Sequence, residues 1–292
     1  MRIFVTGASG YIGAAVVREL VAHGHQVSGL ARSDAAADAV RGFGAEVVRG
    51  DLQTLDVLAG AVSQHEATVH AAFFRGPEFV EAEWSALETM LSAAPAGSAF
   101  VNTSGSWVYG DRGDAVVDED APLAPIALVA WRPRHEARVL ESAARGVRPI
   151  VIRPSVVYGD GRGMVGAMVE QARHGPVRIV GDGSNRWPLV RVDALAELYR
   201  RALEHPNARG IYNAARGAAV PYVEIARAAA RVGGGDGTVE HLTLESARAA
   251  MGPYADALAL DLQISSAKAE RELGWAPHRP TVLEELSNVV VP

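Results

Sequence analysis

The chain has no cysteine, so it can hold no disulfide, no thiolate-ligated metal and no cysteine nucleophile. It has no apolar run approaching the roughly 20 residues that a membrane-spanning helix needs. A basic face is missing as well. The formal net charge is -6, and no Lys/Arg cluster is interleaved with aromatics, so neither a nucleic acid nor another polyanion is an expected partner. Met1 to Gly7 enters an apolar strand pattern at once, with no charged leader and apolar h-region ahead of it. The expectation is a cytoplasmic protein with no membrane partner and no metal.

What is present is the material of a globular protein. The 292 residues are 49% hydrophobic and 21% charged, enough for one large domain and a smaller one. Short β-branched runs alternate with helical stretches through the first half. Strands are predicted at Ile3 to Thr6, Gln26 to Leu30, Glu46 to Arg49, Thr68 to Ala71, Ala99 to Thr103 and Pro149 to Arg153. Helices are predicted at Tyr11 to Ala22, Ala35 to Gly42, Glu81 to Ser92 and Arg134 to Arg145. Such alternation predicts an α/β, Rossmann-type, doubly wound parallel sheet of six strands. After Arg153 the chain loosens into Gly- and Pro-rich segments, then offers helices near Asp193 to Glu204, Val223 to Arg231 and Leu244 to Met251. We therefore expect a dinucleotide-binding domain from residues 1–155 and 187–216, with a smaller C-terminal substrate lobe from 156–186 and 217–292. Gly233 to Gly237 reads as a flexible loop.

Thr6-Gly7-Ala8-Ser9-Gly10-Tyr11-Ile12-Gly13 lies between the first strand and the first helix. In that context Gly7 serves a tight turn, Gly10 leaves room for phosphate oxygens, and Gly13 lets helix and sheet approach. The helix start offers unpaired N–H groups to a pyrophosphate. Where the second strand ends, an NAD-selective site would carry a carboxylate for the ribose 2′-hydroxyl. Arg32 and Ser33 stand there instead, which suits the 2′-phosphate of NADP(H), with NAD(H) open if Asp34 turns inward.

Further residues carry a family resemblance. With the glycine start, Gly50-Asp51-Leu52, Val69-His70-Ala71-Ala72, Val108-Tyr109-Gly110, the run Arg153 to Gly159, Arg191-Val192-Asp193-Ala194 and the run Lys268 to Pro277 follow in order. The chain resembles the extended short-chain dehydrogenases/reductases, the NAD(P)-dependent epimerase/dehydratase-like group, nearly end to end. The resemblance implies that Asp51 and Leu52 meet adenine and that Ala71, Ala72, Phe73, Thr103, Pro154 and Val156 line the cofactor. Ser9, Tyr11 and Ile12 belong to the same site. Taken singly, Asp51 could instead cap a helix, and His70 could be a satisfied core histidine.

The family's Tyr-x-x-x-Lys pair does not carry over. Counting back from Glu136, the Tyr position is Leu128 and the Lys position Arg132. A phenol near pKa 10 needs a neighbouring cation to exchange protons at neutral pH, and leucine has no proton to give. Arg132 can hold a ribose or an anion but stays charged. The sugar-dehydratase acid/base positions hold Ser106 and Trp107, which disfavours that reaction. The resemblance leaves Ser104, Ser106, Tyr109 and Tyr158 as hydroxyl candidates, with His135 expected on an exposed helix face. It makes Arg186 and Trp187 the substrate-side candidates. Pro133 predicts a late start for the helix, at Arg132 to Arg134. Three functions fit: an NADPH-dependent reductase of a small-molecule carbonyl, imine or activated double bond; a redox-neutral epimerase or isomerase; and a non-catalytic NADP(H)-binding protein. A homodimer through paired helices is also open.

Overall fold

A strand that is apolar on both faces must lie between two helical layers, and this governs the first half of the chain. In the computed structural model, which describes residues 1–73, 79–277 and 280–288, β1 (Arg2–Thr6), α1 (Tyr11–Ala22), β2 (Gln26–Ala31), α2 (Asp34–Gly42) and β3 (Glu46–Arg49) alternate. They are followed by α3 (Leu55–Ser63), β4 (Ala67–His70), α4 (Phe79–Ala93) and β5 (Ala99–Thr103). β1 sends Ile3 and Val5 into one core with Val16, Val17 and Leu20 of α1. Phe4, between them, enters the opposite core with Leu58 of α3 and Leu87 and Met90 of α4.

The chain continues through β6 (Val116–Val117), α5 (Arg132–Glu141), β7 (Arg148–Pro154), β8 (Val156–Gly159), α6 (Gly163–Ala172) and β9 (Val177–Val180). Next come β10 (Arg186–Trp187), β11 (Leu189–Arg191), α7 (Val192–Glu204) and β12 (Gly210–Ala214). The main sheet has the order β12-β7-β5-β4-β1-β2-β3, and every pair in it is parallel. Chain direction across the sheet reverses between β1 and β4. In open α/β sheets the ligand crevice lies outside the carboxyl ends of the strands at that reversal.

The elements not anticipated from sequence include one helix and one strand of the large domain. α3 contains Gly60 and buries only Leu58 and Val62, so its apolar stripe is too thin to announce a helix. β12 adds a seventh strand; it is five residues long, carries the buried Asn213 and is held by pairing with β7. α5 starts at Arg132 with Pro133 in its first turn and ends at Glu141, where Ser142–Arg145 tightens into a 3-10 turn.

A second core is built from Tyr158, Val165, Trp187, Tyr222, Ile225 and Leu286 among others. Its remaining elements are β13 (Val220–Pro221), α8 (Tyr222–Val232), β14 (Val239–Leu242), α9 (Leu244–Met251), α10 (Tyr254–Ala259) and α12 (Val282–Asn288). Trp187 and Leu189, expected with the large domain, pack here. β15 (Gln263–Ile264) pairs with β6, and α11 (Ala267–Leu273) returns to the first core. Gly233 is not merely loop: a Cβ there would fall 2.2 Å from the Ala172 Cβ, so α8 can lie against α6 only with glycine at its end. Trp275, 2% exposed, is buried in the large core and donates its indole N–H to the Ala194 carbonyl at 2.8 Å. Trp275→Ala should therefore cost about 3–5 kcal/mol of unfolding free energy, measured by urea denaturation.

Candidate active site

The turn after β1 leaves no space for side chains. Gly7 has φ +70°, and a Cβ there would lie 2.6 Å from both the Ala71 carbonyl oxygen and the Ala72 amide nitrogen. A Cβ on Gly13 would lie 2.0 Å from the Gly7 carbonyl oxygen. Gly10 differs: it caps α1, and its Cβ would meet only the Gly7 carbonyl oxygen, at 3.1 Å. No side chain caps the helix and no acidic residue sits in its first turn, so the N–H groups there remain available to an anion. Ser9 and Gly10 are exposed, while Ile12 packs partly into the core. These residues fit a pyrophosphate. Tyr11 adds a tether, its phenol donating to the Gly159 carbonyl at 2.8 Å, with burial raising its pKa.

At the end of β2, Ser33 caps α2 by accepting from the Ala36 amide at 3.3 Å. Arg32 is exposed and has no ion-pair partner among the described residues. Asp34 lies 3.1 Å from the Arg49 guanidinium, and Arg49 is the register partner of Ala31. Two guanidiniums therefore flank this edge; sequence reasoning named only Arg32, because the approach of Arg49 depends on strand pairing. Asp51 Oδ1 accepts from the Gln53 and Thr54 amides at 2.9 and 3.1 Å, so the carboxylate organises its own loop. Leu52 is buried in the core on the α3–α4 side.

β4 and β5 end side by side. Ala71 and Ala72 are half-buried and Phe73 is exposed. His70 is a buried link, with Nδ1 2.8 Å from the Thr6 hydroxyl and Nε2 3.1 Å from Glu83. The Thr103 hydroxyl lies 2.7 Å from the Tyr199 phenol, and its carbonyl accepts from Arg132 Nη1 at 3.0 Å. The Arg132 guanidinium sits 4.6 Å from the Trp131 ring.

Most of the expected hydroxyl donors are committed elsewhere. Ser104 donates to Glu136, whose carboxylate also takes Arg153 at 2.5 Å. Arg153 donates on to the Tyr109 phenol at 2.7 Å, and Tyr109 donates to Asn213 Oδ1 at 2.8 Å. Tyr109 is fully buried, and burial raises its pKa. Tyr158 donates to the Pro280 carbonyl at 2.6 Å from within the second core, its pKa pushed up to about 12 by burial. Ser104, Tyr109 and Tyr158 thus each spend a hydroxyl proton on a partner within the protein. Ser106 is buried at the start of a 3-10 turn.

The substrate-side candidates also have partners within the protein. Arg186 pairs with Asp261 at 2.7 Å and Asp114 at 2.9 Å through Nε and Nη2. Trp187 stacks on Tyr222 at 4.0 Å and donates to the Leu258 carbonyl, so it is a core residue. Val156 spends its amide on the Pro188 carbonyl at 3.0 Å, while Pro154 ends β7 beside Ala214. His135, expected outside, is buried. Among the described residues no helix is long and apolar enough to cross a membrane, and no His/Asp/Glu group could hold a metal ion.

Residues 3–215 match the model of the NAD dependent epimerase/dehydratase family. The chain belongs to this family. It is 31% identical to an uncharacterized protein of Schizosaccharomyces pombe, with 99% of each chain covered. It is 29% identical to the 4-hydroxy-2-methyl-3-oxo-4-farnesyl-3,4-dihydroquinoline-1-oxide ketoreductase of Stigmatella aurantiaca, covering 94% of this chain and 92% of that one. Its fold is that of the human epimerase family protein SDR39U1, solved with NADPH, at a TM-score of 0.80, 23% identity and 99% coverage of both chains.

As a member of the epimerase/dehydratase family, the chain is an NAD(P)-dependent enzyme. Gly10→Val should put methyl groups into the space beside the α1 amides and weaken binding of both nicotinamide coenzymes at least about tenfold, ~1.4 kcal/mol, by calorimetric titration. Its melting temperature should stay near that of the parent. Glu136→Gln strands the Arg153 guanidinium, whose side chain is 2% exposed, and should cost about 3–5 kcal/mol, read by chemical denaturation.

Proposed function

We propose that this enzyme is an NADPH-dependent reductase of a small-molecule carbonyl, imine or activated double bond. The observation that carries the reading is Arg32, exposed and unpaired at the end of β2 while Arg49 engages Asp34. A carboxylate free at that edge would favour the ribose hydroxyl of NAD; a guanidinium with no anion of its own favours a 2′-phosphate. Support comes from the ketoreductase similarity and from the NADPH bound to the human relative.

When bound, the reduced nicotinamide supplies hydride. This chain's residues do the rest. The amides opening α1 would hold the pyrophosphate, Arg32, Arg49 and Ser33 the adenosine phosphate, and Asp51 and Leu52 the adenine. Ala71, Ala72, Phe73 and Thr103 line the nicotinamide half, with Arg132 beside the ribose. Ser106, buried at the start of the 3-10 turn after β5, would orient the reacting oxygen. Leu128 supplies no proton, so the proton reaches the product by another route than the family's tyrosine.

Arg32→Ala should raise the Kd for NADPH at least about tenfold, near 1.4 kcal/mol, while leaving that for NADH unchanged. Wild-type protein that binds NADH as tightly as NADPH would refute the preference. Loss of the reduced-nicotinamide absorbance with ethyl acetoacetate and an aryl-ketone panel tests the reaction. Product formation without net NADPH loss would favour a redox-neutral epimerase, and tight binding with no turnover a binding protein.

A further inference from the structure

Beside the first turn of α5, where β4 and β5 end, lies a cavity of about 20 Å³ walled by His70, Glu83, Thr103, Trp131, Arg132 and His135. That is room for about one water, not for an organic ligand. His135 is 5% exposed, and its Nδ1 lies 3.0 Å from the Trp131 carbonyl oxygen. A carbonyl oxygen only accepts, so Nδ1 carries the proton and Nε2 of the neutral ring is an acceptor. That Nε2 is buried and has no partner among the described residues; the buried Trp131 indole N–H has none either. One unused acceptor and one unused donor thus belong to side chains walling the same one-water space, and a buried polar atom without a partner is costly unless water fills the gap.

We propose that this cavity holds one water between His135 Nε2 and Trp131 Nε1, and that His135 exchanges protons with the substrate through it. The proposal rests on the reductase reading for its direction. Phe73, half exposed, and Arg132 complete the wall toward the strand ends where the family's cofactor crevice lies. In the reducing direction the substrate oxygen, made electron-rich by hydride addition at its carbon, takes a proton from the water as that O–H bond breaks. The water takes the Nε2 proton of the imidazolium, the ring becomes neutral, and solvent later restores the proton. Oxidation runs the same transfers backwards.

The groups facing the ring are His70 on β4, Glu83 on α4 and Arg132 on α5, with the Trp84 and Trp131 rings at 5.1 and 4.7 Å. Burial lowers the His135 pKa, and His70 and Arg132 add to this against Glu83 and the Trp131 carbonyl. The imidazolium fraction therefore falls about tenfold per pH unit above that lowered pKa, and the rate of reduction should fall with it.

The test uses the full-length protein with and without NADPH. A high-resolution crystal structure should show a water within hydrogen-bond reach of both nitrogens, absent in His135→Phe. Imidazole ¹⁵N spectra between about pH 4 and 8 should show His135 titrating at Nε2, its resonances moved by NADPH but not by 2′,5′-ADP, which fills only the adenosine end. With ethyl acetoacetate, His135→Gln should lose at least about tenfold in kcat and the fall in rate with rising pH above the His135 pKa, while the Kd for NADPH stays within about twofold. A dry cavity, a ring that stays unprotonated to about pH 4, or a His135→Gln enzyme with the parental pH profile would overturn the relay. Should the wild type bind NADPH but reduce no carbonyl, the reductase reading fails by itself. The water and the titration then still decide what His135 does.

Discussion

The close approach of three backbone segments sets the geometry on which the rest depends. Gly7 lies so near the Ala71–Ala72 peptide, and Gly13 so near Gly7, that a single methyl at either position would overlap main-chain atoms. This contact joins the two strands between which the chain reverses direction, and it aims the start of α1 at the crevice. A helix end with no cap of its own is a poor way to finish a helix and a good way to receive an anion. Local stability is given up there for a ligand site, and the surrounding sheet holds the strain.

A second constraint explains where the hydroxyl chemistry went. Ser104, Glu136, Arg153, Tyr109 and Asn213 form one buried hydrogen-bonded chain from α5 across β7 to β12. Each charge in it is matched, which low-dielectric burial demands, since stranding either partner costs several kcal/mol. The network fixes the outer strands beside β5. In doing so it consumes Ser104 and Tyr109, two of the groups that family position suggested for catalysis. Trp187 and Tyr158 are used in the second core, and Arg186 in a partly exposed ion pair with Asp261.

Legibility in the sequence followed from range. The β–α alternation and the glycine turn are set within about twenty residues, so their apolar runs and turn residues predicted both. α3 and β12 were hidden because each buries too little of its own side chains to leave a pattern and is held by neighbours. The site residues divided on the same line. Gly7, Gly10 and Gly13 act through backbone geometry that their own identity determines. Arg49 reaches Asp34, and Tyr158 reaches Pro280, only through contacts between segments distant in the chain. His135 was misplaced because a charged neighbourhood, Arg132 to Arg138, reads as an exposed helix, whereas the ring itself turns inward between Trp84 and Trp131.

That inward histidine bears on the proton route proposed for this site. The two aromatic rings flanking it would pack as well against a phenylalanine, and that substitution would leave one buried polar atom fewer to satisfy. Keeping an imidazole there, with Nε2 unpartnered beside an unpartnered indole N–H, costs about 1–3 kcal/mol for each atom if the cavity is dry and much less if a water bridges them. Packing alone gives no return for that cost. The proposed proton path at the strand ends does, and it would stand in for the family's tyrosine, whose position falls by sequence on Leu128, just ahead of α5.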